Sequence, residues 1–465
     1  MYHPRNIANN LLQKTFKSPL FSVTTSLGAL NVFTLALPLL FETVATRIIG
    51  FINSAVLSGY SEDSVAAVGS ANSIINFFPI IFSIISTGGT VIISNMIGAE
   101  RLKRAFTATF TQITLCGFIG AVCGALMLIF SNQLMGFMNL EGAVLHEALI
   151  YYKIRAAAIF ILAFTSGCSA LLRCFGYAKD TVVINLISIL ISLVLNIFVI
   201  KFPNISPVTG VEGIAISTVV SQIISLALSV YYTRKRNIKF IRPKRFTIFL
   251  NYVKKMINIG FPAGISGSTF TLSQIISTSF IALIGTYALS AKVYYDNILC
   301  YAYLFSMSLG NANSLLVGRL VGAGNIERAK ALNKALVKIT VTVNLIISLL
   351  IAILYKPLIS IFTENPLIIE TALLVFMVDI IAEVSRGISQ VYEYALRSAG
   401  DMKFMLIVVL ISCWTISVGL AYFLSITCDI GIIGCYIAVA IDELIRAVAA
   451  FYRWQSNKWN RIKVY

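Results

Sequence analysis

Apolar residues in this chain neither alternate with a period of two nor form narrow amphipathic stripes; they run in long blocks separated by short polar connections. Twelve blocks lie near 29–57, 65–97, 107–131, 146–172, 181–201, 211–233, 256–284, 288–318, 334–355, 367–396, 403–427 and 431–452. Each is long enough to cross a hydrocarbon core of roughly 30 Å at about 1.5 Å per residue. A segment in lipid must satisfy its backbone hydrogen bonds internally, and none of these blocks has the period-2 pattern of a barrel strand, so each is predicted to be a helix. The first block lacks the short apolar core and cleavage pattern of a signal peptide and reads as a retained span.

The blocks repeat at a constant offset. Pro38 faces Pro262 (262 − 38 = 224), and the same shift carries Ala67 to Ala291, Gly98 to Gly322, Arg104 to Arg328, Arg173 to Arg397 and Gly176 to Gly400. Six spans per repeat is an even number, so both halves enter the membrane from the same side and are related by an axis along its normal. The predicted fold is an all-α polytopic membrane protein of twelve transmembrane helices in two six-helix lobes, V-shaped around a central cavity. The expected division is an amino-terminal lobe at 1–233, a basic linker at 234–255 and a carboxy-terminal lobe at 256–465. Internal duplication in so apolar a chain is a recurring device of secondary transporters.

Composition adds the environment. The chain is 58% hydrophobic and 12% charged, against roughly 25% charged in a soluble domain. Its 36 Lys and Arg outnumber 19 Asp and Glu, but the excess sits in alternate loops. Basic residues gather at Arg5, Lys14 and Lys17, at Arg101 to Arg104, through the linker from Arg234 to Lys255, and at Arg453 to Lys463; the intervening loops collect Glu62, Asp63, Glu141, Glu147, Glu364 and Asp429. By the positive-inside rule both termini and the linker are cytoplasmic. Anionic lipid headgroups, not nucleic acid, are the expected partners of this charge. The eight cysteines form no CxxC or Cys/His cluster and the two histidines are too few for a metal site, so no metal and no cofactor is expected. No GxxxxGK[ST] loop is present, which leaves an ion or substrate gradient as the energy source, and no enzymatic activity is expected.

Ionisable groups inside spans are costly unless they face a cavity or a partner. In span 1, Glu42, Thr46 and Asn53 fall within about 40° of one another on a helix, whereas Arg47 lies about 140° from Glu42. The repeat partners of Glu42 and Asn53 are Ser266 and Ser277, so the halves are electrically unequal. Span 8 carries Lys292 and Asp296 at i, i+4, and span 10 carries Glu383 and Arg386 at i, i+3, flanked by Asp379 and Glu393; each pair shares a helix face. Span 12 carries Asp442, Glu443 and Arg446. Glu42, Asp296 and Glu383 are the candidates for ion coupling. Arg47, Asn53, Ser266, Ser277, Tyr294, Tyr295, Arg386 and Tyr392 are the candidates for the cavity wall, the aromatics as ring faces for cations.

The stretch around Pro38 to Gly59, the segments AAVGSAN, GGTVIISNMIGAERLKRA, LLRCFGYAKD and GVEGIAISTVVSQ, and the second-half FPAGISGS, GNANSLLVGRLVGAGNIERAK, ALRSAGD and GIIGCYIA resemble the multidrug and toxic compound extrusion (MATE) family. The resemblance covers nearly the whole chain and implies a twelve-helix antiporter that exports organic compounds in exchange for Na⁺ or H⁺. It also implies an amino-lobe cation site at the positions of Asn53, Asn196, Ile200 and Thr218. Asn53 and Ile200 stand where many prokaryotic members have aspartates, so that site is not expected to operate here; Asn196 and Thr218, which the resemblance singles out, join the candidates for the cavity wall. Other members use acids on spans 7, 8 and 10; span 7 has none here, and the usual span 10 aspartate is matched by Arg386.

The leading expectation is therefore an ion-coupled exporter of amphipathic small molecules, a monomer in a bacterial inner membrane. Arg47 and Arg386 keep a second class open, a flippase or exporter of a lipid-linked or anionic precursor. A third class, a membrane sensor or scaffold, is disfavoured by the lack of a recognisable soluble signalling domain.

Overall fold

A computed structural model describes residues 18–58, 62–136, 138, 140–202, 208 and 210–462; side chains are not described at 50, 51 and 53–63. Asn53, Glu62 and Asp63, as side chains, and Arg5, Lys14, Lys17 and Lys463 lie outside the described residues.

All the apolar blocks are helical over most of their length. In chain order the helices are α1 (Val32–Ser58), α2 (Glu62–Ile75), α3 (Phe78–Gly98), α4 (Leu102–Ile129), the short α5 (Ser131–Gly136), α6 (Gly142–Ala157), α7 (Ile159–Cys174), α8 (Ala178–Lys201), α9 (Gly210–Lys235), α10 (Phe246–Ile284), α11 (Thr286–Gly322), α12 (Ile326–Ile353), the short α13 (Tyr355–Ser360), α14 (Pro366–Ser398), α15 (Met402–Ser412) and α16 (Ile432–Gln455). Among the described residues eight helical segments are individually long and apolar enough to span a membrane; the pair α6 and α7, bent by 47°, makes a ninth. Predicted spans at α11, α14 and α16 hold the charged residues considered below. The segment read as linker is irregular only between Lys235 and Phe246, because α10 starts inside it.

Two local departures from the predicted helices matter. A β-hairpin precedes α1 and overlaps the first block only at 29–31: Ser22–Thr25 (β1) runs against Gly28–Asn31 (β2), in antiparallel register Ser22 with Asn31 and Thr25 with Gly28. Ser26 and Leu27 form its two-residue loop, and Gly28 takes the left-handed φ of 106° that such a tight reversal needs. Beyond α15 the chain is wound as π-helix through Cys413–Leu420 and Phe423–Thr427. The Ser417 carbonyl there accepts a hydrogen bond from Ser277 Oγ of α10 at 3.1 Å, in keeping with the tendency of π-windings to occur at functional sites.

By packing, the described residues of Met1–Leu40, Ser94–Glu100 and Pro262–Tyr465 form one compact unit, and those of Phe41–Ile93 and Arg101–Phe261 another. The first unit holds α11 to α16 around Tyr295, Phe376, Ile298 and Ala438. It also holds the end of α3, which crosses the end of α11 at bare backbone. A Cβ on Gly98 would lie 1.9 Å from the Arg319 carbonyl oxygen, and one on Gly322 would lie 2.0 Å from that of Asn95. Asn95 and Arg319 are themselves 224 apart (319 − 95), so the duplication places the same contact on both sides of this crossing. The hairpin lies beside it: Arg328 donates to the Pro19 and Ser22 carbonyls, each at 2.6 Å, and the Ser26 amide donates to Glu100 at 3.0 Å. The second unit packs α2, α4, α6, α7 and α9 around Tyr152, Met127 and Ile159.

Each unit closes one end with a bidentate ion pair. Arg236, after α9, donates to both carboxylate oxygens of Asp180 on α8, and Arg453 on α16 does the same to Asp401 before α15. Each guanidinium also covers a ring, Tyr177 and Phe404 respectively. The Arg236 guanidinium is held above its ordinary range, chiefly by its hydrogen bonds to Asp180.

Candidate functional site

Helix α14 begins with Pro366 behind an Asn365 cap whose side chain accepts from the Leu367 amide at 3.0 Å, an arrangement that fixes the first turn. From there Asp379, Glu383, Arg386, Gln390, Glu393 and Arg397 recur at intervals of four and three residues. That spacing puts them on one face, and the stretch from Asp379 to Arg397 rises about 27 Å, close to the thickness of a bilayer core.

The face is covered by α10, α11 and α16; Glu393 pairs with Arg397, Glu383 and Arg386 join an alternating chain with residues of α16, and Asp379 stands outside both among the described residues. Glu383 is ion-paired with Arg386, and Arg386 Nε lies 2.9 Å from Glu443 Oε1 on α16. Glu443 Oε1 is also 2.7 Å from Arg446, which in turn lies 2.8 Å from Asp442. Ser389 donates to the other Glu443 oxygen at 3.2 Å. The guanidiniums of Arg386 and Arg446 lie over Tyr303 and Phe270 at 5.5 and 5.0 Å, contacts that offset part of the cost of burying a cation. Asn344 of α12 donates to the Glu383 carbonyl at 2.7 Å and anchors this turn from behind.

A cavity of about 240 Å³ opens beside this chain, walled by α10, α11, α14 and α16. Its charged lining is Lys292, Asp296, Asp379, Glu383 and Arg386: three carboxylates against two bases. Lys292 and Asp296 satisfy each other at 2.6 Å, and Tyr436 donates to Asp296 at 2.8 Å. Asp379 is 5% exposed, and its Oδ2, like Glu383 Oε2, is buried with no hydrogen-bond partner among the described residues. No group of three His, Cys, Asp or Glu side chains among the described residues is placed to hold a metal.

The structure sorts the candidates. Asp296, Glu383, Arg386 and Ser277 line this cavity together, and Ser266 lines a second, smaller one. Tyr295 is fully buried, its hydroxyl bonded to the Ile368 carbonyl and to Thr371 at 2.6 and 2.7 Å. Tyr294 stacks on Phe362, and Tyr392 packs against Phe451 and Trp454. These three rings pack among neighbours, away from the lining of either cavity.

In the other unit Glu42 accepts from Asn185 of α8, and Thr46 donates to the Glu42 carbonyl at 2.8 Å. The second Glu42 oxygen is buried with no hydrogen-bond partner among the described residues. Arg47 is exposed, as is Thr46. Asn196 is buried on α8, and Thr218 turns its hydroxyl to the Ile214 carbonyl at 2.9 Å. Sequence reading named Asp379 and Glu443 only as neighbours of other pairs and did not single out Asn185. The i, i+4 step from Asp379 to Glu383 was the available signal for Asp379; nothing in the sequence joins α16 to α14.

Comparison with known proteins accords with this architecture. The family described as MatE matches residues 38–198 and again 262–423, so both matches begin at the repeat-related prolines. The chain is 32% identical, over 92% of its length and 94% of the relative's, to an uncharacterized transporter, YisQ, of Bacillus subtilis. It is 24% identical, over 92% of each chain, to a probable multidrug resistance protein, NorM, of Thermotoga maritima. Among solved structures, MATE in a bent conformation superposes with a TM-score of 0.83 at 18% identity, covering 92% of this chain and 94% of that one. A superfamily transporter from Pyrococcus furiosus, described as having a binding pocket of reverse polarity, gives 0.81 at 18% identity, covering 92% and 95%. Two matches in register, a predominantly helical membrane fold and relatives along nearly the full length place the chain in the MatE family of membrane transporters.

Proposed function

We propose that this transporter exports amphipathic organic compounds, cationic or neutral, in exchange for protons, and that the exchanged proton is carried by Asp379 and Glu383. One observation carries this reading: the cavity wall holds one more carboxylate than bases, and the surplus acid, Asp379, is buried without a paired base among the described residues. A carboxylate so placed is costly to leave charged and alone. A proton relieves that cost in one state of the cycle and an organic cation relieves it in the other, which is the thermodynamic core of an exchange mechanism. Relatives named as multidrug resistance proteins support the substrate class.

The competing class, an exporter of a lipid-linked or anionic precursor, needs a base free to meet the anion. Arg386 is engaged by Glu383 and Glu443, which favours the cation. Glu42, whose unbonded oxygen is buried beside Asn185 in the other unit, is the rival place for coupling and is not the proton carrier in this reading. Sodium in place of the proton fits the same carboxylates and is separated from it by experiment. The reading includes a monomer in a bacterial inner membrane, two lobes joined at 234–255, and both termini in the cytoplasm, where the basic loops meet anionic lipid.

The test is binding of a lipophilic organic cation to purified protein across pH. Affinity should fall as the medium is acidified, and Asp379→Asn should remove the pH dependence. Preferential binding of an anionic amphiphile, lost in Arg386→Gln, would move the assignment to the competing class.

A further inference from the structure

We propose that the coupling proton leaves through a second chamber, with Glu393 as its exit group and the Arg386–Glu443 pair as the partition it crosses; this rests on the proton-coupled reading above. The chamber has about 130 Å³, room for about four waters at roughly 30 Å³ each. It lies further along the charged face of α14, toward the Ser398 end. Phe270 and Tyr303 line both spaces, whereas Glu383 and Arg386 line only the first and Glu443 only the second. The ion pair between Arg386 and Glu443 therefore divides them.

The second chamber is built for a small polar occupant. Arg446, 5% exposed, lines it with its Nε buried and without a hydrogen-bond partner among the described residues, and Arg397 Nε is in the same condition. Such groups in a polar space of this size are met by water. Glu393 faces the chamber 3.1 Å from Arg397. The other titratable groups there are Tyr303 of α11, Tyr394 of α14, and Glu443 with Arg446 of α16; α10 and α15 contribute Ser266, Phe270 and Val409.

The step conserves charge. Protonated Glu383 releases its hold on Arg386. As its O–H bond breaks, an O–H bond forms on Glu443, and Arg386 shifts its pairing from Glu443 back to the newly charged Glu383. Proton and guanidinium move in opposite directions, so neither chamber gains an unpaired ion. Glu443 then passes the proton through water to Glu393, and the O–H bond on Glu393 breaks toward bulk water beyond Arg397.

Three variants in proteoliposomes test this, each measured for organic-cation transport driven by a pH gradient and for substrate counterflow at equal pH. Glu393→Gln keeps the shape and the bond to Arg397. It should slow gradient-driven transport ~100-fold, the scale of losing a positioned proton-transfer group, while counterflow stays within about twofold of wild type. Glu393→Asp should restore much of the loss. Arg397→Gln, which removes a positive charge beside Glu393, should keep transport but move its half-maximal pH upward by about one unit. Wild-type rates in Glu393→Gln, no recovery in Glu393→Asp, or loss of counterflow in both Glu393→Gln and Arg397→Gln would each overturn the exit route. A wild type with no proton-driven transport overturns the coupling reading and the exit with it, whereas an unimpaired Glu393→Gln beside a proton-driven wild type overturns the exit alone.

Discussion

Asp379 stands one turn of α14 before Glu383 and faces the same cavity, but among the described residues only Glu383 has a base paired with it. Two buried acids a turn apart with one local cation between them cannot both be comfortable as anions. The remaining bases nearby are committed, Lys292 to Asp296 and Arg446 to Glu443 and Asp442. The surplus is therefore a property of the whole site and not of one loosely placed side chain.

Glu443 is the joint of the ion-pair chain, since among the described residues it alone is paired with both Arg386 and Arg446. Glu443→Ala leaves two buried guanidiniums short of a partner and should destabilise the protein by about 3–5 kcal/mol. Glu443→Gln, which preserves the acceptor oxygen, should cost less. Thermal unfolding in detergent reads the difference; an unchanged Tm for Glu443→Ala would show that the network is not holding α14 to α16.

The glycine crossing gives a packing prediction with an internal control. Gly322→Ala places a methyl group 2.0 Å from the Asn95 carbonyl oxygen, and the forced separation of α3 and α11 should cost about 1–3 kcal/mol. Gly267→Ala on α10 has nothing within 4 Å of the new carbon. It should be neutral or stabilising, since alanine is the better helix former by about 0.8–1 kcal/mol. Unfolding measurements should show a loss of stability in Gly322→Ala and none in Gly267→Ala.

Much of this was legible in the sequence, for physical reasons that also mark where legibility stopped. Hydropathy and the 224-residue offset (322 − 98) identified the helices and the paired glycines, because membrane insertion and backbone contact both leave local signatures. Helix geometry places Arg47 about 140° from Glu42 around α1, since 100° per residue is a local rule. The partner of Glu42 was not visible, because Asn185 lies 143 residues away and reaches it only through packing. The hairpin's second strand, Gly28–Asn31, runs into the first apolar block at Ala29, where Ala29 and Leu30 raise hydropathy as helix residues would. Tyr295 and Tyr303 look alike in sequence, yet one is tied to the Ile368 carbonyl and the other lines both chambers.

At the hairpin, Glu100 supplies a pH dependence whose sign is fixed. Its carboxyl is held below the usual carboxylate range by hydrogen bonds from Ser26. A depressed folded value means the contact stabilises the hairpin above the ordinary carboxylate range and is lost as pH falls through the lowered one. Amide exchange across Ser22–Asn31 should differ between wild type and Glu100→Gln near neutrality and converge in acid. A difference that persists or grows at low pH would contradict this.

The central claim is that Asp379 and Glu383 exchange protons for an organic compound. The most direct measurement is transport of a fluorescent organic cation in proteoliposomes under an imposed pH gradient, with a sodium gradient as the comparison, for wild type, Asp379→Asn, Glu383→Gln and Glu42→Gln. The account predicts proton-driven flux in wild type and in Glu42→Gln, and its loss in both α14 variants. Proton-driven flux that survives in Asp379→Asn and Glu383→Gln but disappears in Glu42→Gln would contradict it and move the coupling site to the other unit.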